Sequence, residues 1–162
     1  MAYTAYVMKV PDQPSKEEKI LNSLKEYKSK LTLPCGTTIP DPLALSTGWQ
    51  GELEAMKNWP DIIYPDILYY FNKKRGVDVK ETLNKYKEGK AFAYYSAEWV
   101  KEILYQKLDD KFAIMKTVVF RSMDISEDPW KVWVVISLDE NADRIKRAYC
   151  TCTAGYFKKF KS

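Results

Sequence analysis

Near residue 99 the hydrophobic pattern of this 162-residue chain changes period. Beyond that point come runs rich in β-branched and aromatic residues: 99–105, 112–120 and 131–137. Asp109-Asp110 and Glu127-Asp128-Pro129 separate them as turns, and a fourth run, 144–151, follows the acidic turn 139–143. Such runs bounded by turn residues read as strands. Before residue 99 the apolar residues recur at helical spacing. A helical half followed by a run of strands predicts an α+β domain, with the helical N-terminal half packed on a three- or four-stranded antiparallel sheet, and excludes an alternating βαβ order.

The helical half opens at Ser15, which with Glu18 three residues later forms a capping box. Ile20, Leu21, Leu24, Tyr27 and Leu31 then follow at i, i+3 and i+4 spacing, so an amphipathic helix is expected over residues 16–30. Three prolines and a glycine within residues 33–42 end it and predict an extended connector. Shorter helices are expected at 49–59, with Trp49, Leu53 and Met56 on one face, and at 66–72, stopped by Gly76. A further one is expected at 79–95, with Leu83, Tyr86, Ala91 and Tyr94 on its apolar side. Residues 1–14 are left open between an edge strand and a loose arm. The length suits one core. The chain divides into an N-terminal arm and helix, 1–40, and an α+β domain, 41–162, forming one compact unit.

The chemistry available is narrow. There is no histidine, which removes the commonest general base and the commonest metal ligand together. Of the acidic groups, Asp109-Asp110, Glu127-Asp128 and Asp139-Glu140-Asp143 fall in expected turns, where carboxylates satisfy local backbone donors. The six glycines are scattered and form no phosphate-cradling loop. Three cysteines, Cys35, Cys150 and Cys152, are an odd number, which argues for reduced thiols. No His stands ready to activate them. The expectation is a protein that is not an enzyme. With no signal-peptide pattern and no apolar run near the ~20 residues of a membrane span, no membrane contact is expected, and an intracellular, nuclear or cytoplasmic, location is.

A net charge of +4 is too mild to identify a partner, so the clustering of cations matters more. Lys73, Lys74 and Arg75 form one group, and Arg144, Lys146, Arg147, Lys158, Lys159 and Lys161 another. The second group interleaves with Tyr149, Tyr156, Phe157 and Phe160, a mixture that suits phosphate contact with base stacking beside it. A solvated strand face reads the same way. The abundant Tyr and Trp fit a protein-binding surface equally well, because Tyr69, Tyr70 and Phe71 cannot all face inward from one short helix.

Several of these features in order resemble one group of proteins: Asp41-Pro42-Leu43, Trp49, Trp59-Pro60, Asp66 to Phe71, Leu83 to Lys87, Trp99-Val100, Trp130 to Val134, and Tyr149-Cys150-Thr151-Cys152-Thr153-Ala154-Gly155. The pattern over about residues 40–155 is similar to the region of SWIM-type zinc-finger proteins of animal genomes that lies upstream of YqaJ-like viral recombinase or exonuclease domains. In that family the Cys-x-Cys pair is completed by Cys-x-His, and the four side chains bind zinc. Here Tyr156 to Ser162 follow instead, and structural zinc takes four ligands. The resemblance therefore implies no cofactor, with zinc held by Cys150 and Cys152 only if two chains of a homodimer share the site. The expected function is a non-enzymatic, nucleic-acid-associated module, with Lys73, Lys74, Arg75, Arg144, Lys146, Arg147, Lys158 and Lys159 as phosphate contacts. The alternative is a protein-interaction or inhibitory module that binds through an exposed aromatic surface. Either fits a monomer or a homodimer.

Overall fold

The computed structural model describes residues 14–75, 90–121 and 127–152. Along them run α1 (Lys16–Lys30), α2 (Glu52–Ala55) leading into a 3₁₀ turn (Met56–Asn58), α3 (Tyr64–Arg75), α4 (Lys90–Ser96), and strands β1 (Leu104–Lys107), β2 (Phe112–Val119), β3 (Trp130–Ser137) and β4 (Ile145–Cys150). The strands form one antiparallel sheet in the order β1-β2-β3-β4, so the domain is α+β as expected. Among the described residues no helix is long and apolar enough to cross a membrane.

Acidic turns set the hairpins, as the sequence implies. Asp109 Oδ1 accepts from the backbone N–H of Lys111 and Phe112, both at 2.7 Å, and turns β1 into β2. Asp139 Oδ1 accepts from Asn141 N at 3.0 Å between β3 and β4.

Alternation along β2 and β3 divides the core in two. Phe112, Ile114, Trp133 and Val135 point to one face, where Leu33 and Ile39 of the connector cover them. Tyr105 and Ala113 point to the other, beneath Ala55, with Trp59 packed alongside. The sheet therefore lies between an irregular layer, residues 31–49, and a short-helix layer. The first core draws on both sides of residue 40, with Leu33 and Ile39 buried in it and Tyr27 and Leu31 packed against it.

One lysine pins the irregular layer. Lys116 faces it from β2 and donates to the carbonyls of Pro42 at 3.1 Å and Leu45 at 3.0 Å, with its ammonium 4.0 Å from the centre of the Trp49 ring. Burial holds its pKa below the ordinary lysine value. The two carbonyls and the aromatic face replace part of the lost hydration.

Some expected elements differ. Trp49 lies outside any helix, because Gln50 exchanges backbone hydrogen bonds with Tyr105, at 2.8 and 2.9 Å, and the helix begins only at Glu52. It turns Ala55 inward and leaves Leu53 93% exposed. The expected strand 99–105 is broken. Trp99 and Lys101 pair with the end of β2, but Ile103 N donates to Glu52 Oε2 at 3.5 Å, and the ladder resumes only at Leu104. The helix expected at 66–72 is longer at both ends. Of the helix expected at 79–95, residues 90–96 are helical and 76–89 lie outside the described residues, as does the arm 1–13. The chain leaves α4 through Glu98, whose φ of 57° is left-handed, and Tyr94 then meets Trp99 at 5.0 Å.

Candidate interaction surface

α1 begins as its sequence dictates. Glu18 N donates to Ser15 Oγ at 3.2 Å and Ser15 N to Glu18 Oε2 at 2.8 Å, completing the capping box. Glu17 and Glu18 sit in the first turn and Lys28 and Lys30 in the last, each sign favourable to the helix dipole. The helix should bury its apolar stripe, yet none of its fifteen residues is buried. Ile20, Leu21 and Leu24 are 54%, 52% and 53% exposed.

The reason lies at the other end of the helix. Tyr27 is its anchor: the hydroxyl donates to Asp41 Oδ1 at 2.5 Å, and the ring lies 4.8 Å from Tyr149 on β4, which in turn stacks on the buried Trp133 at 5.7 Å. Asp41 Oδ1 also accepts from Leu43 N at 2.9 Å, so one carboxylate ties the helix and the connector together. Burial first, and then Asp41, raise the pKa of the Tyr27 phenol well above the ordinary tyrosine value. Anchored by Tyr27, with Leu31 just beyond the helix packed on the same core, α1 projects its earlier turns past the sheet.

Between α1 and the sheet edge this leaves an open groove of about 400 Å³. Ile20, Leu24, Tyr27, Leu43 and Tyr149 form its apolar walls, and Lys16 and Lys19 its rim. Among the described residues no carboxylate lines it. Leu53, Met56, Ile63 and Tyr69 are exposed elsewhere, but α1 is where three large aliphatic side chains stand together beside a cavity.

The residues expected to meet phosphate are placed as follows. Lys73 forms an ion pair with Asp143 at 2.8 Å, with Tyr69 beneath it, which brings the end of α3 to the start of β4. Lys74 and Arg75 lie in the last turn of α3. Arg144 Nη1 donates to Ser137 O at 3.4 Å, and Arg147 Nη2 to Thr32 O at 2.6 Å, a bond from edge strand to connector. The register shifts by one residue between Val135–Arg147 and Ile136–Ile145, so Lys146 is the extra residue of a β-bulge. Lys158 and Lys159 lie outside the described residues.

The three thiols are free. Burial, with the neighbouring Cys152, pushes the Cys150 thiol up to about 12. Exposed Cys35 is lowered, chiefly by its hydrogen bond with Thr37 Oγ1 at 3.4 Å. Cys152 N donates to Cys150 Sγ at 3.1 Å. Among the described residues no group of three or more Cys, Asp or Glu side chains is gathered as a metal-ligand set. Cys150 and Cys152 supply two sulfurs, half of the four-ligand set that a tetrahedral zinc site takes.

Sequence reasoning missed the open stripe of α1 and the Tyr27–Asp41 anchor. The signal that could have found the first was the low hydrophobicity of the helix, where three aliphatics share fifteen positions with five lysines and four glutamates or asparagines. No protein-family model, no curated protein and no solved structure matches this chain.

Proposed function

We propose that this chain is a non-catalytic protein-interaction module whose binding face is the exposed stripe of α1. The observation that carries the reading is a capped, fifteen-residue helix with no buried residue and three half-exposed aliphatics beside an apolar groove. An isolated helix of that length is marginal in water, and contiguous exposed aliphatics are uncommon without a partner. Helix-in-groove recognition uses anchors three and four residues apart, the spacings of Leu21 and of Ile20 from Leu24. The non-catalytic part is supported by the use of Asp109 and Asp139 in turns and by the high pKa of Cys150. The resemblance to a nucleic-acid-associated region carries less weight, because Lys73, Arg144 and Arg147 already have partners within the chain, with which a phosphate would compete.

The test is capture on the immobilised full chain from nuclease-treated cell extract at 0.15 and 0.5 M NaCl, with a Leu21→Glu/Leu24→Glu variant alongside. A protein retained at the higher salt and lost with the variant supports the reading. Retention only of added nucleic acid, falling steeply with salt and weakened by Arg147→Glu but not by the α1 exchanges, would overturn it in favour of phosphate recognition.

A further inference from the structure

The exposed face of α1 has a pattern that its reading as an interaction surface does not require. Glu17, Leu21, Leu24 and Lys28 occur at i, i+4, i+7 and i+11 and so form one straight seam along the helix. The seam is self-complementary on reversal. With a two-fold axis crossing between Asn22 and Ser23, Leu21 of one copy meets Leu24 of the other, and Glu17 meets Lys28, each contact occurring twice. Neither Glu17 nor Lys28 has a side-chain partner among the described residues, and all four seam residues are exposed.

We infer that the occupant of this face is a second copy of the chain, bound through an antiparallel α1–α1 contact. The inference rests on α1 being an interaction face and names its partner. Charge complementarity selects this occupant. An acidic peptide would meet Lys28 at one end of the seam but Glu17 at the other, and a basic one the reverse. A second α1 in antiparallel register satisfies both ends, which is the isologous arrangement two-fold dimers require. A parallel pair would set Glu17 against Glu17 and Lys28 against Lys28.

The contact is small. A fifteen-residue helix is about 22 Å long, and a single helix seam falls below the ~1,200 Å² of a standard stable interface. The dimer is therefore a weak one, with a dissociation constant on the order of 10⁻⁵–10⁻⁴ M. The leucines supply its affinity, and the two ion pairs set its direction and respond to salt.

Sedimentation of the full chain from about 5 to 500 µM at low ionic strength tests the inference. The expected result is a monomer–dimer equilibrium that Leu21→Glu abolishes, that Glu17→Lys weakens about tenfold, and that Glu17→Lys/Lys28→Glu restores to within about threefold of wild type. Circular dichroism confirms that each variant folds, and Leu24→Gln serves as a second, milder disruption. A chain that stays monomeric throughout, or a double charge exchange no better than Glu17→Lys alone, overturns the self-pairing. In that event, loss of a captured protein with Leu21→Glu/Leu24→Glu would still support the interaction face, whereas capture unaffected by those exchanges would remove the face as well.

Discussion

Replacing Tyr27 by Phe isolates the anchor of α1 in a single oxygen atom. The ring that meets Tyr149 at 4.8 Å is kept, and only the 2.5 Å hydrogen bond to Asp41 is removed. A hydrogen bond to a charged acceptor contributes ~1.5–3 kcal/mol. Asp41 retains its bond from Leu43 N and the site is only half-buried, so the lower end applies, a loss of ~1.5 kcal/mol. With an unfolding entropy of roughly 2.1 cal/mol/K per residue, a chain of this size loses ~4 °C in Tm. The pH dependence carries a second signature. Because the folded-state phenol pKa is raised above its ordinary value of 10.0, the folded chain keeps a proton that the unfolded chain releases. This contribution is whole below pH 10 and is lost as pH rises beyond it. Thermal melts of both proteins from pH 7.5 to 11 should show a Tm gap that narrows at the alkaline end. A gap under 1 °C at pH 7.5, or one that stays constant through pH 11, would refute the role given to the hydroxyl.

Trp133→Ala removes the fully buried centre of the first core and should cost ~3–5 kcal/mol, enough to leave a marginally stable domain largely unfolded at 25 °C by circular dichroism; a loss below 1 kcal/mol in denaturant titration would contradict the packing described. Gly48→Ala forces a side chain onto a backbone with φ of 81° and sets its Cβ 2.8 Å from Gln106 Nε2, so a loss of ~1–2 kcal/mol is expected, and no change in the denaturation midpoint would contradict it. Iodoacetamide at pH 7.5 should label Cys35 well before Cys150, since the first thiol is exposed and lowered and the second is half-buried and pushed up to about 12; peptide mass mapping that finds equal rates would contradict this order.

What could be read in the chain was what repeats along it. The runs of β2, β3 and β4 alternate or are β-branched, and Asp109 and Asp139 mark their turns, so the meander was legible almost to the residue. The capping box placed the start of α1 because its chemistry is local. The layer over the first core was not legible, since Leu33 and Ile39 reach the sheet from a proline-rich segment without any period. Long-range hydrogen bonds were equally silent. Gln50 pairing with Tyr105 shortened the helix expected at 49–59, and Glu52 accepting from Ile103 N divided the strand expected at 99–105. Arg147 reads as a solvated cation until Thr32, distant in sequence, presents its carbonyl. Lys116, in the middle of a strand, gave no sign that it would be pinned beneath Trp49. As for the candidate site, the apolar spacing of α1 predicted a stripe correctly, but periodicity does not say whether the covering surface belongs to the same molecule.

Hydrogen–deuterium exchange along α1 tests most directly whether its stripe is open in the free chain and covered in the associated one. At a few micromolar, the amides of residues 20–25 should exchange at least ~100-fold faster than those of residues 133–136 in β3, because none of the former is buried and, among the described residues, the helix is anchored near its end by Tyr27 and Leu31. At several hundred micromolar, the same α1 amides should gain protection while β3 is unchanged. Protection of α1 equal to that of β3 in dilute solution, or independent of concentration and of any added protein, would contradict the account.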